Sequence, residues 1–165
     1  MKSSSIIERL CSLLPKEELN KKGLKIYTGQ KGYNRVSLSN YEHSHSYFEF
    51  GDLRLEFDRS RMIVEVDTAG GVTNLVKYYY MLNEPDQFNF SDIIPDKITY
   101  LLHIFVCKDG NDYLAHRRLW LYLSRKLEAT NFRADMEIWN TNDSESQIVE
   151  SKFKHILEDA VGVRI

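Results

Sequence analysis

Nine consecutive residues, Ile98–Val106 (ITYLLHIFV), form the most apolar run in the chain. A membrane helix needs about 18 or more apolar residues. This run ends at Cys107 and is interrupted by Tyr100 and His103, so no membrane partner is expected. Its length suits a strand. Apolar side chains at consecutive positions mean that both faces of that strand are covered. A strand covered on both faces lies inside a sheet with other layers packed against it. The remaining sequence must therefore supply neighbouring strands and helices.

It supplies both. Leu53, Leu55 and Phe57 alternate with Arg54 and Glu56, which is strand periodicity. Asp58–Arg61 reads as a hairpin turn, and Met62–Asp67 (MIVEVD) as the returning strand. Phe132–Trp139 reads as a further strand. Helical spacing of apolar residues predicts helices over Ser3–Leu14, Asn74–Leu82 (capped by Thr73), Tyr113–Leu127 and Ser144–Ala160. Leu119, Leu123 and Leu127 mark the apolar face of the third. Ile148, Phe153, Ile156 and Leu157 mark that of the fourth. Leu24–Tyr47 is polar and reads as a loop with one or two strands. The order predicts an α/β (α+β) protein with a central mixed sheet flanked by helices, residues 1–165 forming a single domain.

Composition narrows the functional classes. The 165 residues carry 22 Lys and Arg against 24 Asp and Glu, a formal net charge of −2. A globally basic nucleic-acid binder is not indicated, though local basic patches are allowed. The two cysteines, Cys11 and Cys107, lie far apart, with neither a zinc framework nor a disulfide scaffold. The first fifteen residues place Glu8 and Arg9 inside their apolar stretch, unlike a secretion signal. A cytoplasmic, reduced protein is expected.

The chemistry concentrates in residues 51–82. Asp52 opens one strand, and Glu65 and Asp67 sit two apart on the next. Strand side chains repeat every second residue, so Glu65 and Asp67 share a face. Neighbouring strands lie about 4.8 Å apart, so a carboxylate starting one strand approaches carboxylates ending its hairpin partner. Converging carboxylates repel and are costly to bury. A hard divalent cation would relieve that cost. The same acids also read as a turn residue and strand-end ion-pair partners.

Asp52, twelve intervening residues and then Glu65-Val66-Asp67 resembles the motif of the PD-(D/E)xK, or restriction-endonuclease-like, nuclease superfamily. That family places Asp on one strand and Glu-x-Lys on the next, followed by a helix. Gly51-Asp52 stands at its Pro-Asp, Glu65 at its metal-binding acid, and Asn74-x-x-x-Tyr78 is similar to the Gln-x-x-x-Tyr helix of some members. Asp67 stands where the family has Lys. Lys77, on the following helix, matches the position to which some members move that Lys. The resemblance implies a metal-dependent nuclease. Asp52, Glu65 and Asp67 would be its Mg²⁺ (or Mn²⁺) ligands, and Lys77 would orient water or offset phosphate charge. Nucleic acid, DNA in the first place, would be the partner, with a homodimer allowed for cutting two strands. The same fold also accommodates a catalytically inactive binding or interaction module. The direction of Lys77 relative to Glu65 discriminates between them.

Two basic groups offer phosphate contacts: Lys21, Lys22 and Lys25 near the first helices, and Arg117 and Arg118 on the Tyr113–Leu127 helix. Either group also reads as a solvated face. Gly70-Gly71 before a helix is a weak phosphate-loop signal, and His43 with His45 a weak metal pair. His103 reads as a satisfied core histidine. Tyr78-Tyr79-Tyr80 reads as core packing plus a surface tyrosine.

Overall fold

The computed structural model describes residues 3–29, 34–39, 47–68, 72–89, 96–107, 113–127, 131–140 and 143–162. Gly70-Gly71, His43 and His45 lie outside the described residues. The chain runs α1 (Ser3–Ser12), α2 (Lys16–Asn20), β1 (Lys25–Thr28), β2 (Arg35–Leu38), β3 (Tyr47–Glu49), β4 (Leu53–Glu56) and β5 (Ser60–Asp67). Then follow α3 (Thr73–Asn83), a 3-10 turn at Pro85–Gln87, β6 (Phe88–Asn89) and β7 (Ile98–Val106). The last elements are α4 (Leu114–Lys126), β8 (Phe132–Trp139) and α5 (Asp143–Val161).

The fold is α+β, with a mixed five-stranded sheet ordered β1-β4-β5-β7-β8 and flanked by helices. β1, β4 and β5 are antiparallel, whereas β7 and β8 run parallel to β5. A second sheet, β3-β2-β6, packs beside it. β7 lies inside the sheet, between β5 and β8, and is covered on both faces, as its apolar run predicts. Leu102, Ile104 and Val106 join a core with Ile6 and Leu10 of α1 and with Phe153 and Ile156 of α5. Leu101 and Phe105 point the other way, into a core with Leu75, Tyr78 and Trp120. Each fully buried large side chain contributes roughly 1.5–3 kcal/mol. Among the described residues no helix is long and apolar enough to cross a membrane.

Several local expectations shift. The hairpin turn is Asp58-Arg59 alone, because Ser60 already pairs in β5. α3 begins at Thr73 itself, with Val72 at the cap position and no side-chain capping bond. Leu119 is 45% exposed, and Trp120 is the buried residue of α4. The α4 face turns toward Trp120 because its indole N–H donates to His103 Nδ1 at 2.8 Å inside the core. Ile148 is likewise exposed, and Val149 takes its place in the core face of α5.

At the turn end of the β4–β5 hairpin the core holds charge. Glu56 Oε1 accepts from Arg54 Nη1 at 2.9 Å and lies 3.5 Å from Arg61 Nε. Its Oε2 accepts from Lys97 Nζ at 3.0 Å. Arg54 also donates to Asn34 Oδ1 at 3.1 Å and lies over the Tyr27 ring at 4.1 Å. Both arginines are fully buried. Burial pulls the Arg61 guanidinium down to about 10, and Glu56 opposes that fall. Removing the carboxylate leaves like charges facing one another without it. Glu56→Gln is expected to cost about 3–5 kcal/mol in urea denaturation. Arg35→Ala, which removes an exposed pair with Glu49, is expected to cost under about 1 kcal/mol. Equal losses in the two variants would contradict the assignment of Glu56 as the hub.

Candidate active site

The acids meet where β4 begins beside the end of β5. Gly51 turns the chain with φ +96°, and a Cβ there would come within 2.6 Å of Ile63 Cγ2. Only glycine accepts both that dihedral and that contact. The turn delivers Asp52, whose N–H donates to the Val64 carbonyl at 3.0 Å. The Asp52 carboxylate then accepts the Val66 N–H at 2.8 Å, extending the ladder with a side chain. Leu53 pairs with Val64, so the register continued back one step sets Asp52 opposite Glu65.

Glu65 is 7% exposed. Its Oε1 accepts a 2.6 Å bond from Lys77 Nζ and one from the Tyr78 hydroxyl. Lys77 therefore points back at the sheet, with its stem and ammonium near the Tyr78 ring. Burial first, and then the Glu65 charge, push the Tyr78 hydroxyl well above its ordinary value. Tyr78 stays protonated and serves as a donor.

Asp67 shares the face of Glu65 but is not among the residues lining the cleft described below. Its Oδ2 lies 3.7 Å from Nε2 of the fully buried His103. Trp120 donates to the other ring nitrogen, so a neutral His103 carries its hydrogen on Nε2, facing Asp67. His103 is thus a core residue, stacked on Phe105 at 4.4 Å, with one nitrogen satisfied by Trp120.

Asp52 and Glu65 open onto a cleft of about 540 Å³. One wall comes from α1, through Ser4, Ile7, Glu8 and Cys11; the other comes from Thr28, Gly29 and Glu49. Glu8 and Glu49 are acids that strand spacing around Glu65 does not identify. They arrive from a helix and from the second sheet. Burial is the main reason that the Asp52 carboxyl rises to about 6. The Val66 hydrogen bond opposes the rise, Glu65 adds to it, Lys77 lowers it, and Glu49 adds a little more.

The donor set is all oxygen apart from Cys11, whose thiol burial pushes upward and so keeps protonated. Among the described residues no three acidic, His or Cys side chains are gathered closely enough to hold a metal on their own. Asp52 and Glu65 would be the two carboxylates available to a cation that keeps several waters, as Mg²⁺ does.

The basic groups fall at opposite ends of the sheet. Lys25 pairs with Glu56, and Gly23 lies against Asp58 of the hairpin turn. Exposed Lys21, Lys22 and Lys25 thus sit by the turn, whereas the cleft lies beyond the other end of β1, at Thr28. Arg117 and Arg118 belong to the first turns of α4, which follows the carboxyl end of β7. Tyr113, just before α4, donates its hydroxyl to the Thr68 carbonyl at 3.1 Å. That contact ties the start of α4 to the residue after Asp67, at the end of the sheet where the cleft opens. Tyr113 holds φ +50°, the one left-handed non-glycine residue among those described.

No family model, curated protein or solved structure matches this chain. What the site can do follows from its own geometry: a buried carboxylate beside a partly buried one, a lysine held on the first, and room for a ligand.

The raised Asp52 carboxyl binds its proton more tightly in the folded chain than in the unfolded one. Ionising it costs stability, and the loss accrues as pH rises from about 4 to about 6. In chelator, the wild type is expected to lose on the order of 2 kcal/mol relative to Asp52→Asn across that window. Mg²⁺ at neutral pH is expected to restore the wild type alone. Parallel pH profiles for the two proteins in denaturant titrations would contradict the account.

Proposed function

We propose that the chain is a metal-dependent nuclease of the restriction-endonuclease-like kind, hydrolysing phosphodiesters in nucleic acid, with DNA the first candidate. The observation that carries this reading is the 2.6 Å bond from Lys77 Nζ to Glu65 Oε1. It turns the helix lysine inward, onto Glu65, which supports Lys77 as a substitute for the lysine that Asp67 replaces. The sheet order supports the same reading: a helix, three antiparallel strands, a helix, and a strand parallel to the third.

Asp52 and Glu65 would hold a Mg²⁺ or Mn²⁺ ion, which lowers the pKa of bound water and stabilises charge on a phosphoryl oxygen. Lys77 stands beside Glu65, where its ammonium orients the attacking water or faces the charge that develops in the transition state. Tyr78 fixes the Glu65 carboxylate by its hydroxyl. Asp67, turned toward His103, has a positioning role at most. Arg117 and Arg118, at the cleft end of the sheet, would contact the phosphate backbone. Lys21, Lys22 and Lys25 lie at the far end.

Incubation with Mg²⁺ or Mn²⁺ and a panel of single- and double-stranded DNA and RNA tests the reading. Cleavage is expected, lost in Glu65→Ala and slowed about 10²–10³-fold in Lys77→Ala. Arg118→Ala should weaken binding and flatten its salt dependence, while Lys22→Ala should leave both unchanged. Cleavage that survives Glu65→Ala would overturn the site. Absence of cleavage with every substrate and both metals would favour the catalytically inactive binding module.

A further inference from the structure

β8 is eight residues long and ends the five-stranded sheet. On its inner side it pairs with β7. The Asn131 carbonyl accepts from Thr99 N–H at 2.8 Å, and the Trp139 carbonyl accepts from Cys107 N–H at 3.0 Å. Odd-numbered residues of β8 thus direct their backbone groups at β7. The N–H and C=O groups of Phe132, Ala134, Met136 and Ile138 face outward, since direction alternates along a strand. Among the described residues no strand pairs with that edge.

The flanks of this edge carry apolar side chains in solvent. On one side α4 exposes Leu121 and Tyr122, the latter at 59%, one turn from the Arg125 that borders Phe132 and Ala134. On the other side α5 exposes Ile148 at 56%, beside Glu137. Long flat edges with apolar surroundings are templates for pairing with another chain.

The charges on β8 select the partner. Arg133, Asp135 and Glu137 share one face of the strand. In a two-fold antiparallel pairing, residues directly opposite must point to the same face. Centring the axis on Arg133, Met136 or Glu137 sets like charges opposite one another, and centring it on Asp135 sets Asp135 against itself between two Arg133–Glu137 pairs. Centring it on Ala134 sets Arg133 opposite Asp135 of the second copy, twice, in the closer, non-hydrogen-bonded positions. The outward backbone groups of Phe132, Ala134 and Met136 then meet those of Met136, Ala134 and Phe132 of the second copy. Asp135 can take a second cation. Its Oδ1 already accepts Lys152 Nζ at 2.9 Å, yet its side chain is 48% exposed, and a carboxylate has about four acceptor sites.

We propose that the β8 edge is a self-association surface, on which two copies of this chain join β8 to β8, antiparallel about Ala134, into one continuous sheet. Leu121, Tyr122 and Ile148 then border the seam. This interface is independent of the chemistry of the cleft.

Sedimentation equilibrium of the full chain is expected to give twice the 19.4 kDa chain mass. Ala134→Pro should give a monomer with an unchanged circular dichroism spectrum, because the lost N–H points away from β7. Arg133→Asp and Asp135→Arg should each give a monomer alone, and their mixture should restore the dimer, since both cross-strand pairs become attractive again. The mixing result decides the matter even where Ala134→Pro fails to fold. A wild-type chain that stays monomeric would mean that these charges guard the edge instead, and would overturn the proposal. A dimer that persists in each single charge variant would overturn it as well.

Discussion

The pairing of β4 with β5 decides on which side of the sheet every acid falls. Leu53 meets Val64, Arg54 meets Ile63 and Glu56 meets Arg61 across a two-residue turn. Side chains alternate along a strand, so a slip of one residue would turn Glu65 away from α3 and toward α1 and α5. Lys77 and Tyr78 would then face an apolar residue, and Asp52 would lose its place opposite Glu65. Apolar residues pin the register from both faces, with Leu55, Met62 and Val64 in one core and Ile63 in the other. Gly51 pins it from the end, where a side chain would strike Ile63.

The same hairpin carries opposite charge imbalances at its two ends. At the turn, Arg54, Arg61 and Lys97 gather on one carboxylate, Glu56. At the open end, Glu8, Glu49, Asp52 and Glu65 surround the cleft, with Lys77 held on Glu65. The first imbalance is closed within the core by side chains. The second faces solvent and a cavity, where burial first, and the Glu65 and Glu49 charges after it, raise the Asp52 carboxyl. A cation from solution would favour the ionised form there. Structure and proposed chemistry thus draw on one rule: carboxylates brought together need positive charge beside them.

The parts of this arrangement that were legible in the sequence are those set by local periodicity. The β4–β5 hairpin, the apolar β7, α3 and α5 follow from patterns within a dozen residues of one another. Lys77 was also legible, since its helix follows β5 directly. β1 and β2 were legible only as one or two strands somewhere within Leu24–Tyr47, because each is four residues long and β1 finds its partner, β4, well along the chain. Glu8 and Glu49 escaped for the same reason: α1 and the second sheet bring them to the cleft through tertiary packing. Charge alone grouped Lys21, Lys22 and Lys25 with the site, whereas the antiparallel run of β1 carries them to the other end. Leu119 and Ile148 matched helical apolar faces, yet Trp120 and Val149 took the core positions one residue on. A helix face can rotate by one residue when a large side chain such as Trp120 finds a hydrogen-bond partner in the core.

The central claim is that Asp52 and Glu65 form a divalent-cation site beside Lys77. Anomalous diffraction from crystals grown with Mn²⁺ tests it most directly. A manganese peak is expected in the cleft, within coordination distance of oxygens from both Asp52 and Glu65. A peak coordinated by neither carboxylate, or no peak at saturating Mn²⁺ while Lys77 remains bonded to Glu65, would contradict it.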